Sequence, residues 1–109
     1  MDIKNSEKDG AMIVEVNGEI NISSSPELKK SFEKIQSNRV IINMAKVGYI
    51  DSSGLATLVE LLKRLKMKGG SLSLTNMSDK VKSLFEITKL DKLFGIFPTD
   101  EAALKSFVK

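Results

Sequence analysis

Four consecutive residues of this chain, Asp51-Ser52-Ser53-Gly54, combine groups that could carry chemistry. They follow an apolar segment that ends at Ile50 and precede a segment with the hydrophobic spacing of a helix. Aspartate and serine oxygens at such a junction can accept hydrogen bonds from the unpaired N–H groups of the first helical turn, worth about 1 kcal/mol. The structural interpretation is therefore helix capping by Asp51, Ser52 and Ser53, and the functional alternative is a serine that receives a phosphate.

The phosphate alternative relies on the same physics. A helix N-terminus carries about half a positive charge and unpaired donors, so it accommodates an anion. A phosphoserine carries about −1.5 to −2 charges at neutral pH, and beside Asp51 it would create a concentrated anionic spot. A partner docked over this spot would meet charge that it could not pair, at a cost of several kcal/mol. A phosphate here is therefore expected to switch partner binding off.

The residue types that most hydrolases and metal sites require are missing from the 109-residue chain. It contains no histidine and no cysteine, which excludes a Ser-His-Asp hydrolase, a thiol nucleophile, a disulfide and a thiolate metal site. An enzyme that uses Ser52 as a nucleophile is improbable without either residue type as its activating base. We therefore predict that the protein is not an enzyme and uses no metal or other cofactor.

Charge and hydropathy argue against two further classes of function. The net charge is +3, but the 17 Lys and Arg residues are spread along the chain among 14 acids, whereas direct nucleic-acid binding needs a concentrated basic face. Lys63, Arg64, Lys66 and Lys68 are interpreted as a solvated helix face. No apolar run approaches the roughly 18 residues of a membrane span, and the N-terminus lacks the apolar core of a signal peptide. We expect a cytoplasmic protein.

The hydrophobic pattern predicts strands that alternate with helices. Strands are expected at residues 3–7, 11–16, 39–44 and 71–75, with a short one between 90 and 97. Helices are expected to begin near residues 24, 54, 78 and 99, and the second should run from Gly54 to Lys68. The continuous apolar run at 39–44 is typical of a strand that is covered on both faces.

Two of these helices show specific end signals and apolar stripes. Ser24 and Glu27 have the spacing of a capping box, with Pro26 in the first turn. The predicted buried residues of that helix are Leu28, Phe32 and Ile35, those of the second are Leu55, Leu58, Val59, Leu62 and Leu65, and those of the last are Leu104 and Phe107.

The order of elements predicts the fold class. Helix-length connections between strands imply parallel neighbours with right-handed crossovers, whereas the Asp9-Gly10 turn predicts an antiparallel hairpin. The chain length suits one compact domain. We therefore expect a single α/β domain over residues 1–109, with a mixed sheet of four to five strands and about four helices packed on it.

Two motifs give the chain a family resemblance. One is the segment from residue 47 to 94, VGYIDSSGLATLVELLKRLKMKGGSLSLTNMSDKVKSLFEITKLDKLF; the other is Val16-Asn-Gly-Glu-Ile-Asn21 followed by a Ser-Pro-Glu-Leu helix. With these motifs, in this order and spacing, the chain resembles the anti-sigma-factor antagonists, the single-domain bacterial members of the STAS family. The resemblance covers essentially the whole chain.

The resemblance implies a phosphorylation switch in transcription regulation. In the family, the serine directly after the motif aspartate accepts phosphate from an anti-sigma factor with serine-kinase activity, and this position is Ser52 here. The unphosphorylated antagonist binds the anti-sigma factor and frees the sigma factor, the phosphorylated form releases it, and a PP2C-type phosphatase resets the cycle. The expected partner-binding residues are Asn21, Ile22, Asp51, Ser53, Gly54, Leu55 and Thr57.

Asn21 departs from the family pattern, which commonly has aspartate at this position. The asparagine removes one negative charge and adds a hydrogen-bond donor near the expected acceptor serine. It favours an alternative in which the chain is a STAS scaffold or adaptor subunit of a signalling or lipid-transport complex and never cycles through phosphate.

Overall fold

The computed structural model describes residues 1–107, in which five strands form one mixed sheet. The strands are β1 (Asp2–Lys8), β2 (Ala11–Asn17), β3 (Arg39–Lys46), β4 (Ser71–Thr75) and β5 (Gly95–Phe97). The helices are α1 (Ser25–Glu33), α2 (Ser52–Met67), α3 (Asp79–Ile87) and α4 (Asp100–Ser106), with a 3₁₀ turn at Leu90–Lys92. This mixed sheet with four helices confirms the predicted fold class.

The strands lie side by side in the order of the chain, β1-β2-β3-β4-β5. β1 and β2 pair antiparallel, and every later neighbour is parallel. The predicted hairpin turn is present: Asp9 and Gly10 both have positive φ, at 52° and 81°, between the paired residues Lys8 and Ala11. A two-residue turn with both residues in the left-handed region matches the twist of the strands that it joins.

The three helices that connect parallel strands cover one face of the sheet, and the last helix covers the other. Right-handed crossovers that step the same way along a sheet place their helices on the same face. Accordingly α1, α2 and α3 share one core with Val14, Val40 and Ile42. α4 follows the last strand and covers the opposite face, where Ala103 and Leu104 pack on Ile41. The run Val40-Ile41-Ile42 is therefore buried on both sides, as the sequence predicted.

The capping box predicted for α1 is wrong. Ser24 has helical backbone angles, and its hydroxyl donates to the Glu19 carbonyl at 2.6 Å and accepts from the Asn21 N–H at 2.9 Å. The Ser24 side chain is thus used to fold the loop before α1, and no side chain caps the helix. Pro26 does lie in the first turn as predicted, whereas Ile35 lies beyond the end of α1 and is only partly buried.

α2 buries a wider face than its predicted stripe. Its buried residues are Gly54, Thr57, Leu58, Leu61, Leu62 and Leu65. Leu55 and Val59 pack against the same core but remain partly exposed. The helix also begins at Ser52, two residues before the predicted start. None of the helices within residues 1–107 is long and apolar enough to cross a membrane.

α4 is tied to the sheet by one carboxylate at its first residue. Asp100 accepts hydrogen bonds from the Thr75 hydroxyl and from the Asn43 side-chain amide, the latter at 3.0 Å. Thr75 of β4 and Asn43 of β3 are the last two residues that pair between these strands, so Asp100 links the ends of both strands to the helix. Of the two predicted buried residues of α4, Leu104 is buried and Phe107 is partly exposed.

Replacing Thr75 with valine should destabilise the fold. Valine keeps the shape of the fully buried side chain but removes the hydroxyl that donates to Asp100. Hydrogen bonds to charged groups contribute about 1.5–3 kcal/mol, so we expect the free energy of unfolding to fall by about that amount. Urea unfolding measures the change. The matched control is Thr57→Val, because Thr57 is also buried but makes no side-chain hydrogen bond within residues 1–107. An equal loss of stability in both variants would contradict the assignment.

Candidate functional site

The predicted site residues lie where two loops meet at one end of the sheet. The loop from β2 to α1 and the loop from β3 to α2 are joined by a parallel bridge between Ile20 and Ile50. The Ile20 N–H donates to the Tyr49 carbonyl at 3.0 Å, and the Asp51 N–H donates to the Ile20 carbonyl at 3.1 Å. Both isoleucine side chains are buried, so the bridge anchors the two loops to the core.

Asp51 holds both loops with its single carboxylate. Its Oδ1 accepts from the Gly54 N–H at 2.8 Å and caps α2, while its Oδ2 accepts from the Ile22 N–H at 3.2 Å. A carboxylate offers two acceptor oxygens, whereas serine or asparagine offers one. The position therefore favours aspartate on structural grounds alone, and the negative charge stays beside Ser52.

Ser52 and Ser53 do not cap α2, in contrast to the capping interpretation of the sequence. They occupy the first two helical positions, after the cap residue Asp51. Ser52 is exposed, and its hydroxyl makes no hydrogen bond within residues 1–107. Ser53 is half-buried and lines the space between α1 and α2. Because Asp51 alone caps the helix, the Ser52 hydroxyl is available at the surface.

Gly54 allows the helix to approach the two loops closely. A Cβ atom added at this position would lie 2.8 Å from Ile50 Cγ2 and 2.9 Å from Ile20 Cγ2, and it would also crowd the Ile20 carbonyl. Contacts this short force neighbouring atoms to move. Gly54 is thus required by packing, and it is buried.

Asn21 shapes the turn that carries Ile22. Its side-chain oxygen accepts from the N–H groups of Ser23 at 2.9 Å and Ser24 at 3.0 Å, and its amide donates to Glu19 at 3.4 Å. An aspartate could accept the same two backbone bonds. Ile22, at the tip of the turn, is 72% exposed and projects beside the Asp51 corner.

A groove of about 300 Å³ runs between α1 and α2 next to this corner. Its walls are formed by Ile22, Ser25, Pro26, Lys29, Ser53, Ala56, Thr57 and Glu60. The Lys29 ammonium lies 2.9 Å from the Glu60 carboxylate across the groove. The hydrogen bond and charge of Lys29, with the charge of Arg64, lower the pKa of Glu60, which stays ionised at neutral pH.

Thr57 lies in this groove and brings a hydroxyl with it. The residue is only 4% exposed, and its hydroxyl makes no hydrogen bond within residues 1–107. In that range, every side-chain oxygen that is fully shielded from solvent has a hydrogen-bond partner. Because the Thr57 hydroxyl has no partner, it must be open to solvent, and the groove that Thr57 lines provides the opening. A ligand or partner group in the groove could therefore bond to it.

The structure brings some predicted partner-binding residues together and separates others. Ile22, Ser53 and Thr57 line one groove, while Asp51 and Asn21 shape the loops behind it. Gly54 is buried, and Leu55 packs against the main core instead of lining the groove. The sequence analysis missed Ala56 and Glu60, although Ser53, Ala56, Thr57 and Glu60 have the i, i+3, i+4, i+7 spacing of one helix face.

The chain is an α/β domain built on a five-stranded mixed sheet. The capping residue Asp51 and the exposed Ser52 form a site at the N-terminus of α2, called here the helix-terminal site. The sequence profile of the STAS domain matches residues 2–103. The chain therefore belongs to the STAS domain family.

Relatives and solved structures agree with this assignment. The chain is 34% identical over 107 residues to the anti-sigma-B factor antagonist of Bacillus subtilis, covering 96% of each chain. It is 30% identical over 99 residues to the anti-sigma-B factor antagonist of Staphylococcus aureus, covering 88% of this chain and 92% of the relative. A crystal structure of a protein from Thermotoga maritima, assigned as an anti-sigma factor antagonist, superposes with a TM-score of 0.93 at 26% identity, and the match covers 98% of this chain and 95% of that chain.

Substituting Gly54 with alanine should destabilise the site, although alanine is the better helix former. The helix preference alone would favour alanine by about 1 kcal/mol, but overpacking against Ile20 and Ile50 costs about 1–3 kcal/mol. We expect a net fall in the free energy of unfolding, measured in guanidinium chloride.

The control for this substitution is Gly48→Ala. No atom lies within 4 Å of a Cβ at Gly48, and its φ is not positive. Its stability should change by less than about 0.5 kcal/mol. A Gly54→Ala protein as stable as the unmodified chain would show that the close approach imposes no constraint.

Proposed function

We propose that this chain is an anti-sigma-factor antagonist whose binding to an anti-sigma factor is switched off by phosphorylation of Ser52. Two relatives that align along most of the chain carry the name anti-sigma-B factor antagonist. The observation that carries the proposal is the exposed, unbonded hydroxyl of Ser52 at the first position of α2, directly after the capping carboxylate of Asp51.

The geometry supports Ser52 as the phosphate acceptor over its neighbour. Ser52 is exposed, so a kinase can reach it without opening the fold, whereas Ser53 is half-buried against α1. Asp51 accepts the Gly54 N–H, which leaves the N–H groups of Ser52 and Ser53 without acceptors within residues 1–107. These donors and the positive helix end can stabilise a phosphate in place.

The same geometry explains how the phosphate would end binding. Both oxygens of Asp51 are engaged by backbone donors, so its charge cannot move away from the modified serine. The phosphate adds about −1.5 to −2 charges next to it. Like charges at an interface cost several kcal/mol, and each 1.4 kcal/mol reduces affinity about tenfold. A loss of at least about a hundredfold follows.

The partner in this proposal is an anti-sigma factor with serine-kinase activity, and a PP2C-type phosphatase removes the phosphate. The chain acts as a substrate and a binding module and supplies no catalytic group. The docking surface combines the exposed Ile22 with the adjacent groove between α1 and α2. An apolar anchor beside a groove with a few polar groups is typical of protein recognition sites.

A Ser52→Asp variant should no longer bind the anti-sigma factor, whereas a Ser52→Ala variant should bind it and should not be phosphorylated. Calorimetry with the cognate anti-sigma factor measures the affinities, and intact-mass and site-mapping spectrometry after incubation with ATP locates the phosphate. Ser83→Asp is the charge control, because Ser83 is exposed on α3 away from the corner. Equal affinities of Ser52→Asp and Ser52→Ala would refute the electrostatic switch, and phosphate on Ser53 instead would refute the acceptor assignment.

Thr57→Val tests the groove as part of the docking surface. The substitution removes the unpartnered hydroxyl but keeps the shape of the buried side chain, so stability should be unaffected. A lost hydrogen bond is worth about 0.5–1.5 kcal/mol, and we expect affinity for the anti-sigma factor to fall about two- to tenfold. Unchanged affinity would exclude the Thr57 hydroxyl from the interface.

The alternative of a scaffold or adaptor that never cycles through phosphate rested on Asn21. The asparagine has a local role, because its oxygen accepts two backbone N–H groups in the turn before α1. This role accounts for the residue without a scaffold function, so we favour the switch. Stable co-purification with a partner that does not bind ATP would reverse this preference.

A further inference from the structure

We propose a second binding site, for a small organic anion, at the opposite end of the sheet from Ser52. A recess of about 550 Å³ lies there between the first residues of β4, β5 and the last turns of α2 and α4. Its walls are formed by Arg39, Leu62, Lys66, Gly69, Ser71, Leu72, Ser73, Leu93, Gly95, Phe97, Ser106 and Phe107. The volume is in the range of small-molecule sites. Lys66 lies 14 helical residues after Ser52, or about 21 Å along α2.

The recess exists because the edge strand is short. The first residue of β5, Gly95, pairs with Ser73 of β4. β4 itself begins at Ser71, two residues before Ser73. Ser71 and Leu72 therefore have no strand partner on that side within residues 1–107. Leu62 and Leu72 lie on one side of the gap and Phe97 and Phe107 on the other, which gives the recess apolar walls.

Gly95 lets Ser73 and the Phe97 ring lie close to the backbone of β5 at the recess. Its φ is not positive, so the backbone there does not require glycine. A Cβ atom would lie 3.1 Å from Ser73 Oγ and 3.1 Å from the Phe97 ring, in the space beside the serine. Glycine within a strand is unfavourable and often marks a place where a ligand or another backbone approaches closely.

Ser73 presents an unpartnered hydroxyl to this space. The residue is only 4% exposed, and unlike Thr75, which donates to Asp100, it makes no side-chain hydrogen bond within residues 1–107. Every side-chain oxygen in that range that is fully shielded from solvent has a hydrogen-bond partner. Because the Ser73 oxygen has none, it is open to solvent in the recess that Ser73 lines. The hydroxyl is therefore free to donate a hydrogen bond to a ligand in the recess.

The charged residues select an anion. Among residues 1–107, Arg39 and Lys66 line the recess, no carboxylate does, and neither cation lies in an ion pair. The Arg39 guanidinium stacks 5.5 Å from the Phe107 ring centroid, which positions it at the wall. Two cations, an unpaired hydroxyl and apolar walls fit a molecule with a carboxylate or phosphate group on an apolar body.

The competing explanation is that Arg39 and Lys66 serve only to neutralise the negative charge at the C-terminal ends of helices. α2 and α4 both end at this recess, and cations near a helix C-terminus stabilise its negative pole. That explanation does not account for the unpaired Ser73 hydroxyl at the wall of the recess. The two explanations predict different ligand selectivity, which a binding experiment measures.

The test is an NMR titration of the full chain with phenyl phosphate and benzoate, with phenol and inorganic phosphate as partial ligands. We expect saturable shifts at the amides of Lys66, Ser73 and Gly95 for at least one organic anion, with an affinity at least tenfold above both partial ligands. Phenol binding as tightly would exclude recognition of charge. Inorganic phosphate binding as tightly, or the absence of saturable shifts at the recess, would overturn the site.

Variants separate the recess from general surface charge. Lys66→Gln should weaken binding of the organic anion at least fivefold, whereas Lys63→Gln, on the same helix but outside the recess, should not. Ser73→Ala should also weaken binding while leaving the thermal unfolding midpoint unchanged, because the hydroxyl has no partner within residues 1–107. Equal effects of Lys63→Gln and Lys66→Gln, or a lower midpoint with intact binding for Ser73→Ala, would contradict the proposal.

Discussion

The organisation of the helix-terminal site depends on one carboxylate. The Asp51 carboxylate accepts two hydrogen bonds, one from the first turn of its own helix and one from a loop 29 residues earlier in the chain. A local capping interaction and a tertiary contact are thus made by the same side chain. Because both oxygens are occupied, the neighbouring serine is not needed for capping, and its hydroxyl can be modified without loss of the cap.

The close packing beneath this carboxylate sets the position of α2. The Ile20–Ile50 bridge extends the pairing of β2 and β3 beyond the regular strands, and Gly54 lets the helix rest directly on it. A rigid support of this kind keeps the exposed serine and the groove in fixed relation to each other. Preorganised surfaces lose less entropy on binding, which suits a module that must bind and release.

The fold was largely readable from the sequence, whereas the roles of individual polar residues were not. Period-two and helical apolar patterns predicted the inner strands and the four helices, because burial dominates those choices. β1 is exposed except at Ile3, and the Asp9-Gly10 turn was the stronger sign of its pairing with β2. The Ser24 capping box failed because the hydroxyl formed a tighter local loop with Glu19 and Asn21. The burial of Leu61 and Thr57 depended on how closely α1 and α2 approach, which no single segment encodes. The recess at Ser73 arose from the different lengths of two paired strands, a property of the sheet and not of either strand.

The coincidence of strand order and chain order bears on how the protein is made. Each strand after β2 adds to an edge formed by the strand that precedes it in the chain, so none of these later strands must wait for a further segment before it can pair. An isolated hairpin is marginally stable in water, so β1 and β2 become secure once β3 and α1 have joined them. The chain can therefore assemble progressively as it leaves the ribosome, with β5, the shortest strand, closing the sheet last.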